Sequence, residues 1–225
     1  MKYLGILIDS QLTFKHHIST ISKKVSRIVG AMYRIRNYVT DKTLKMIYYS
    51  LIYPHLLYGI PIWGNADNTH LEPLLITQKK AIRIISNKDK NIHTEFRLPG
   101  NPDTYWLIDT FKKEHSSPIF KELNILKIYD IFNTITLNFV YESLTKSNPR
   151  QFHEYFRYPL NNYNTAANRK SNLDTPQIRT VTYGIKSIKY TGCILWNNLP
   201  ETVRNSPSKK EFTKLVKKHF ISLYT

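Results

Sequence analysis

Acidic side chains are the first place to look for catalytic chemistry in this chain. Enzymes that cut or join phosphodiester bonds with two metal ions need clustered carboxylates to hold the metals. The 16 Asp and Glu residues are scattered, with no two adjacent and no Asp-x-Asp, Glu-x-x-His or His-Glu-x-x-His motif. Asp9 follows an apolar run, where a metal ligand could lie, but the pattern favours a turn former or helix cap. The sequence therefore predicts no catalytic residue and no metal site in this chain.

Histidine and cysteine give no stronger signal for chemistry. His16 and His17 project about 100° apart at a predicted helix start, which is a poor geometry for sharing a metal. The single cysteine, Cys193, excludes a disulfide within the chain and a thiolate zinc cluster. We interpret it as a small buried hydrophobe in a protein of a reducing, intracellular compartment.

The positive signal is charge. The formal net charge is +17, which favours a polyanionic partner, most often nucleic acid. On a helix predicted over residues 16–39, Lys23, Arg27 and Arg34 project within about 40° of one another, opposite the apolar face. Residues 10–40 contain six Lys and Arg and no acidic residue. These three cations are predicted to bind nucleic acid, and the alternative is an ordinary solvated surface.

A second basic group lies on the helix predicted over residues 70–86. The side chains predicted on its polar side are Gln78, Lys79, Lys80 and Arg83. The three cations among them are also predicted to contact nucleic-acid phosphates. Five lysines of the last predicted helix are equally compatible with binding and with solvated surface: Lys209, Lys210, Lys214, Lys217 and Lys218.

Tyrosine is abundant enough to add stacking on unpaired bases, with 16 residues in the chain. Four tyrosines lie inside an apolar stretch, however, and are predicted to be core: Tyr48, Tyr49, Tyr53 and Tyr58. Stacking tyrosines would have to come from elsewhere in the chain.

The elements that position these residues are predicted to be mainly helical. Seven glycines in 225 residues is a low share, which favours helices over a turn-rich β architecture. Residues 2–8 are predicted as one orphan β-strand with no partner strand within hairpin reach. Helices are predicted over 16–39, 42–53, 55–62, 70–86, 124–146, 187–198 and 209–223, with a short helix near 104–113. The helix over 42–53 is predicted to be capped by Thr40 or Asp41 and to be interrupted by Pro54. A long polar connection is predicted over 157–180. Ser208 and Glu211 form a capping box for the last helix.

Several segments carry a family resemblance through their residues and their order. They are Lys2-Tyr3-Leu4-Gly5 through Asp9, residues 47–54 followed by Tyr58-Gly59 and Trp63-Gly64, residues 78–85, Pro118-Ile119-Phe120, residues 187–190 with Gly192, and residues 195–200 with Ser208 and Phe212. Together they resemble the C-terminal part of non-LTR (LINE-type) retrotransposon reverse transcriptases, in particular the jockey-like group.

The resemblance implies a division of the chain. The implied parts are the end of the palm (1–12), a thumb-like helical bundle (13–88), an irregular stretch or insertion (89–118) and a helical C-terminal extension (119–225). In such enzymes the palm holds Mg²⁺ with aspartates that include a Tyr-x-Asp-Asp motif, which this sequence lacks, and the thumb grips the template–primer. We therefore expect a reverse transcriptase fragment that binds nucleic acid, needs no cofactor of its own and has no polymerase activity alone.

Two other interpretations stay open from the residues. The chain could be a stand-alone, non-enzymatic helical protein that binds RNA or DNA, or a helical module whose charge serves an acidic protein partner. The resemblance implies an RNA or DNA template–primer as partner, with the palm region of a longer parent protein as a second one, and an intracellular, nuclear location. No membrane partner is expected, because no apolar stretch is long enough to span a bilayer.

Overall fold

The fold is given by a computed structural model. It describes residues 1–86, 116–159, 172–180 and 184–224. Within these ranges the chain is mainly helical with one short two-stranded sheet at its start, which confirms the predicted fold class. The helix predicted near 104–113 lies outside the described residues, as does much of the connection predicted over 157–180.

The predicted β segment is a hairpin and not one strand over residues 2–8. β1 (Lys2–Tyr3) and β2 (Ile6–Leu7) pair antiparallel. The turn residues Leu4 and Gly5 both have positive φ, at 45° and 83°, as a tight two-residue hairpin turn requires. The prediction missed this turn because leucine rarely adopts a positive φ. The first strand therefore finds its partner in the next residues of the chain.

Two long helices form the first layer of the molecule. α1 (Lys15–Ile35) and α5 (Asn68–Ile85) pack along each other. α1 buries one face, as its periodicity predicts, and the buried residues are His17, Ile18, Ile21, Val25, Val29 and Met32. α5 is buried over a wider arc, because later helices pack on it as well.

Between α1 and α5 the chain passes through Pro54 without a break. α2 (Asp41–Ile47) leads through a π-helical turn (Tyr48–Ile52) into α3 (Tyr53–Leu57). The predicted interruption at Pro54 is wrong because the amide of Tyr53 donates to the carbonyl of Tyr48, five residues back. This wider turn accommodates a proline ring that would clash with the carbonyl of an ideal α-helix.

The second half of the chain adds two layers around one long helix. Its helices are α6 (Ser116–Leu123), α7 (Ile128–Leu144), α8 (Ile188–Asn197), α9 (Glu201–Arg204) and α10 (Lys209–Ser222). α7 contacts α3, α4 (Ile60–Trp63), α5, α8 and α10. It starts at Ile128 and not at 124 as predicted, and α6 was not predicted at all. Ser208 accepts a hydrogen bond from the amide of Glu211, which confirms the predicted cap of α10.

The hydrophobic core is continuous through both halves. Residues of α1 to α5 and residues of α6 to α10 belong to one buried cluster. The division into palm end, thumb, insertion and extension stays a prediction. Within the described ranges, no helix combines the length and the apolar character that a bilayer crossing requires.

Candidate nucleic-acid interface

The three predicted cations of α1 lie on the outside of the molecule. Lys23, Arg27 and Arg34 are exposed, while Val25 and Met32 on the opposite side of the helix are fully buried. We call these three cations the α1 basic face. It extends about 16 Å along the helix axis at 1.5 Å per residue. The structure therefore provides three positive charges on one side of α1, spread over about three helical turns.

No described carboxylate neutralises the α1 basic face. Ion pairs form elsewhere, such as that of Lys186 with Asp67 at 2.6 Å. The acidic residue before the helix, Asp9, accepts hydrogen bonds from the amide and the hydroxyl of Thr13, each at 2.7 Å. These bonds, that of the hydroxyl above all, hold the pKa of the Asp9 carboxyl below its usual range. Asp9 is thus the turn former that the sequence predicts, and the α1 basic face stays available to phosphate groups.

The cations predicted on α5 are less exposed. Lys80 is exposed, whereas Lys79 and Arg83 are half-buried. We call these three residues the α5 cluster. Gln78 was predicted on the same polar side, but it is fully buried, because the segment between α6 and α7 covers that part of α5.

Lys127 extends the α5 cluster and was not predicted. Its ammonium donates to the hydroxyl of Ser117 at 2.8 Å and lies 4.3 Å from the ring centre of Tyr224. Burial lowers the pKa of Lys127, Asp130 raises it, and the positive charge of Lys79 lowers it. Lys79 and Lys127 therefore share one electrostatic environment. Only the tertiary fold brings them together, so sequence pattern offers no signal for this pair.

The lysines of α10 divide between structural and surface positions. Lys209 pairs with Glu142 on α7. Burial lowers the pKa of Lys217, and the positive charge of Lys45 on α2 lowers it further. Lys217 thus lies near α2, while Lys210, Lys214 and Lys218 are exposed. The five lysines do not form one uniform binding face.

Other predicted positions have mixed outcomes. Cys193 is buried and its thiol donates to the carbonyl of Asp174 at 3.3 Å, and burial raises its pKa to about 11, so the interpretation as an inert core residue is confirmed. Of the four tyrosines predicted to be core, Tyr48 is fully buried and Tyr53 is half-buried, but the prediction is wrong for Tyr49 and Tyr58, which are exposed. Among the residues that the structure describes, no three His, Cys, Asp or Glu side chains are grouped as a metal site requires.

His17 fixes the start of α1 against the hairpin. Its Nδ1 accepts a hydrogen bond from the amide of Leu7 at 3.4 Å, and its ring meets Trp63 edge-on with centroids 5.8 Å apart. The side chain is 5% exposed, and its Nε2 has no partner in the described part of the chain. Burial lowers the pKa of His17, and Lys24 lowers it further. The neutral imidazole is therefore the form that the fold requires.

We expect the stability of the chain to fall on acidification because of His17. Its pKa is lower in the folded than in the unfolded state, so the unfolded state takes up a proton first as the pH falls below about 6.5. The loss can reach about 1.4 kcal/mol per pH unit for one such proton. Urea unfolding between pH 7.5 and 5.5 should therefore show a smaller loss for His17→Asn than for the native chain. His16→Asn, at the exposed neighbouring position, is the control. It should show the same loss of stability between pH 7.5 and 5.5 as the native chain.

Comparison with known proteins finds relatives of this chain among the proteins of mobile elements. It is 33% identical over 106 residues to a protein described as RNA-directed DNA polymerase from mobile element jockey of Drosophila melanogaster, a match to 44% of this chain and 12% of that protein. The jockey polymerase of Drosophila funebris is 29% identical over 122 residues, which are 51% of this chain and 13% of that protein. The chain is homologous to non-LTR retrotransposon reverse transcriptases.

A third relative agrees with this family. The probable RNA-directed DNA polymerase from transposon BS of Drosophila melanogaster is 28% identical over 130 residues, which are 51% of this chain and 14% of that protein. The matched segment thus spans only about an eighth of the length of these reverse transcriptases. No protein-family model matches the chain. No solved structure matches it either.

Two of the motifs quoted for the resemblance to reverse transcriptases, Tyr58-Gly59 and Trp63-Gly64, lie close together in one joint of the fold. This joint consists of Tyr58, Gly59, Trp63 and Gly64. Gly59 has a φ of 64°, and a Cβ there would lie 2.5 Å from Cδ1 of Ile6 in the hairpin. A Cβ on Gly64 would lie 2.6 Å from the carbonyl oxygen of Ile60 and 2.7 Å from Phe132 of α7. Both glycines therefore allow the hairpin, α4 and α7 to approach closely.

Proposed function

We propose that this chain is the part of a non-LTR retrotransposon reverse transcriptase that follows the catalytic palm, and that it holds the template–primer. The observation that carries the proposal is the α1 basic face, which lies opposite the core and lacks a described carboxylate partner. The homology to RNA-directed DNA polymerases supports nucleic acid as the polyanion that this face meets. The residue order of the quoted motifs supports the position after the palm.

The contact is expected to be with the sugar–phosphate backbone. Lys23, Arg27 and Arg34 present charge along one line on a rigid helix, and such contacts give affinity without reading base sequence. The α5 cluster and Lys127 add a second positive area on another helix. The proposal assigns no polymerase chemistry to this chain, so primer extension by the 225-residue chain with Mg²⁺ would contradict that part of it.

The triple variant Lys23→Gln, Arg27→Gln and Arg34→Gln is expected to weaken binding of a blunt RNA–DNA hybrid by about tenfold or more at low salt. Its slope of log affinity against log salt should become shallower by about 2 to 3, because each lost phosphate contact removes roughly one released counterion. Fluorescence anisotropy over a salt series measures both quantities. Changing the base sequence of the hybrid should leave the affinity nearly unaltered.

A matched control separates the α1 basic face from net charge. The variant Lys121→Gln, Arg150→Gln and Arg179→Gln removes one lysine and two arginines from exposed positions outside α1 and α5. It should keep most of the affinity and the slope of the native chain. Equal losses in both triple variants would show that only total charge matters. An unchanged affinity in the α1 triple variant would overturn the proposal.

A further inference from the structure

The C-terminal end of α1, where the α1 basic face ends at Arg34, carries exposed aromatic rings. Tyr33 is 48% exposed and Tyr38, in the turn just after the helix, is 88% exposed. Arg34 lies between them in the sequence. Burial of apolar surface does not explain these two rings, because neither packs into the core.

The hydroxyl groups do not explain these tyrosines either. Tyr58 and Tyr49 are also exposed, but each donates its hydroxyl to a backbone carbonyl, that of Leu4 at 2.6 Å and that of Asn124 at 3.5 Å. In the described part of the chain, neither Tyr33 nor Tyr38 makes such a bond. Their rings are therefore not held for a structural hydrogen bond.

Cations lie near the two rings in the sequence, and one of them contacts the ring of Tyr33. The guanidinium carbon of Arg36 lies 4.0 Å from the ring centre of Tyr33, which orients that ring. Tyr38 is fixed through its backbone, since its amide donates to the carbonyl of Ile35 at 2.9 Å. The only acidic neighbour in the sequence is Asp41, at the start of α2. Exposed rings set among cations suit a ligand with flat aromatic groups on an anionic backbone.

We propose that Tyr33 and Tyr38, the aromatic end of α1, stack on unpaired nucleobases of a strand whose phosphates lie along the α1 basic face. This inference rests on the proposed function and deepens it, because it names the single-stranded part of the nucleic acid as the ligand of this end. Every base offers a flat π face, so the contact does not depend on base sequence. A paired duplex hides these faces inside its base stack, so the aromatic end discriminates against blunt duplex.

The test compares two probes on the full chain, a blunt RNA–DNA hybrid and the same hybrid with a single-stranded overhang. The overhang should strengthen binding to the native chain about fivefold or more, from at least one stacked base. The double variant Tyr33→Ala and Tyr38→Ala should lose that gain and keep its affinity for the blunt hybrid. The double variant Tyr33→Phe and Tyr38→Phe should retain the gain, because it keeps both rings.

A base analogue reports stacking directly. A 2-aminopurine in the overhang should lose fluorescence on binding to the native chain and to the Phe variant, and should stay bright with the Ala variant. Tyr3 is 57% exposed in the hairpin, so Tyr3→Ala serves as the control and should behave as the native chain does. Circular dichroism checks that the variants fold.

The outcomes distinguish this inference from the function on which it rests. If the α1 triple variant loses affinity but the Ala variant keeps the full gain from the overhang, stacking at the aromatic end is wrong and backbone binding stands. If the native chain binds neither probe, or binds an acidic peptide instead, both proposals fall. A gain from the overhang that disappears in the Phe variant would also overturn stacking, because the rings remain.

Discussion

Replacing Gln78 by Leu is expected to lower the free energy of unfolding by about 3–5 kcal/mol. Gln78 is fully buried, and its amide nitrogen donates to the hydroxyl of Tyr48 and to the carbonyl of Leu126, both at 2.9 Å. Its amide oxygen accepts from the backbone amide of Ile128 at 3.0 Å. Leucine fills a similar volume but takes the bond of Gln78 away from all three partners at a buried site.

The size of the effect follows from those partners. A buried donor or acceptor that loses its partner costs about 1–3 kcal/mol, and leucine would leave three such groups. One of them is an amide in the first turn of α7, where the helix itself supplies no acceptor. Since a native protein is stable by only about 5–15 kcal/mol, this single change approaches global unfolding.

Urea unfolding followed by circular dichroism measures the loss, and two comparisons define its origin. Gln151→Leu, at an exposed position, should change stability by less than about 0.5 kcal/mol. Tyr48→Phe removes one of the three partners, so its effect and that of Gln78→Leu should combine to less than their sum. If Gln78→Leu changed the free energy of unfolding as little as Gln151→Leu, the hydrogen bonds of Gln78 would not stabilise the packing of α5 against the start of α7.

The burial of Gln78 could not be predicted from the sequence. Lys79 and Lys80 follow it, so the local pattern indicates a polar helix side. The groups that cover it lie 30 and about 50 residues away, and no periodicity within α5 reports them. The same limit explains why Lys127 was missed as a neighbour of Lys79. Contacts between distant segments decide burial when a helix packs on more than one side.

The exposed face of α1 could be predicted because this helix packs on the molecule with one side only. One side of this helix packs on the molecule and the other meets solvent, so its 3.6-residue periodicity alone identifies Lys23, Arg27 and Arg34 as exposed. The prediction of a single strand was wrong because of a local exception, a leucine at positive φ. The predicted interruption at Pro54 was wrong because of another, the π-helical turn before it. Amphipathic pattern therefore predicts α1 well, and unusual backbone geometry limits prediction elsewhere.

Trp63, in the joint formed with Tyr58, Gly59 and Gly64, is expected to be a second highly sensitive position. Trp63→Ala should lower the free energy of unfolding by about 3–5 kcal/mol, as for other buried tryptophans. Trp63 is fully buried, its indole N–H donates to the carbonyl of Tyr58 at 2.9 Å, and its ring contacts His17. Its removal leaves a cavity and an unpaired carbonyl, and His17 loses the ring against which it packs.

Two substitutions test whether Trp63 acts through this joint. Ile62→Ala, at a position that is 53% exposed, should cost much less, because little apolar area is lost. Trp63→Phe should fall between the two, since it keeps an aromatic ring but not the bond to Tyr58. Hydrogen exchange should show the amides of Leu7 and Ile8 losing protection in Trp63→Ala, because His17 and Trp63 hold the hairpin to α1. Equal costs for Trp63→Ala and Ile62→Ala would mean that the hairpin and α1 are held together by other contacts.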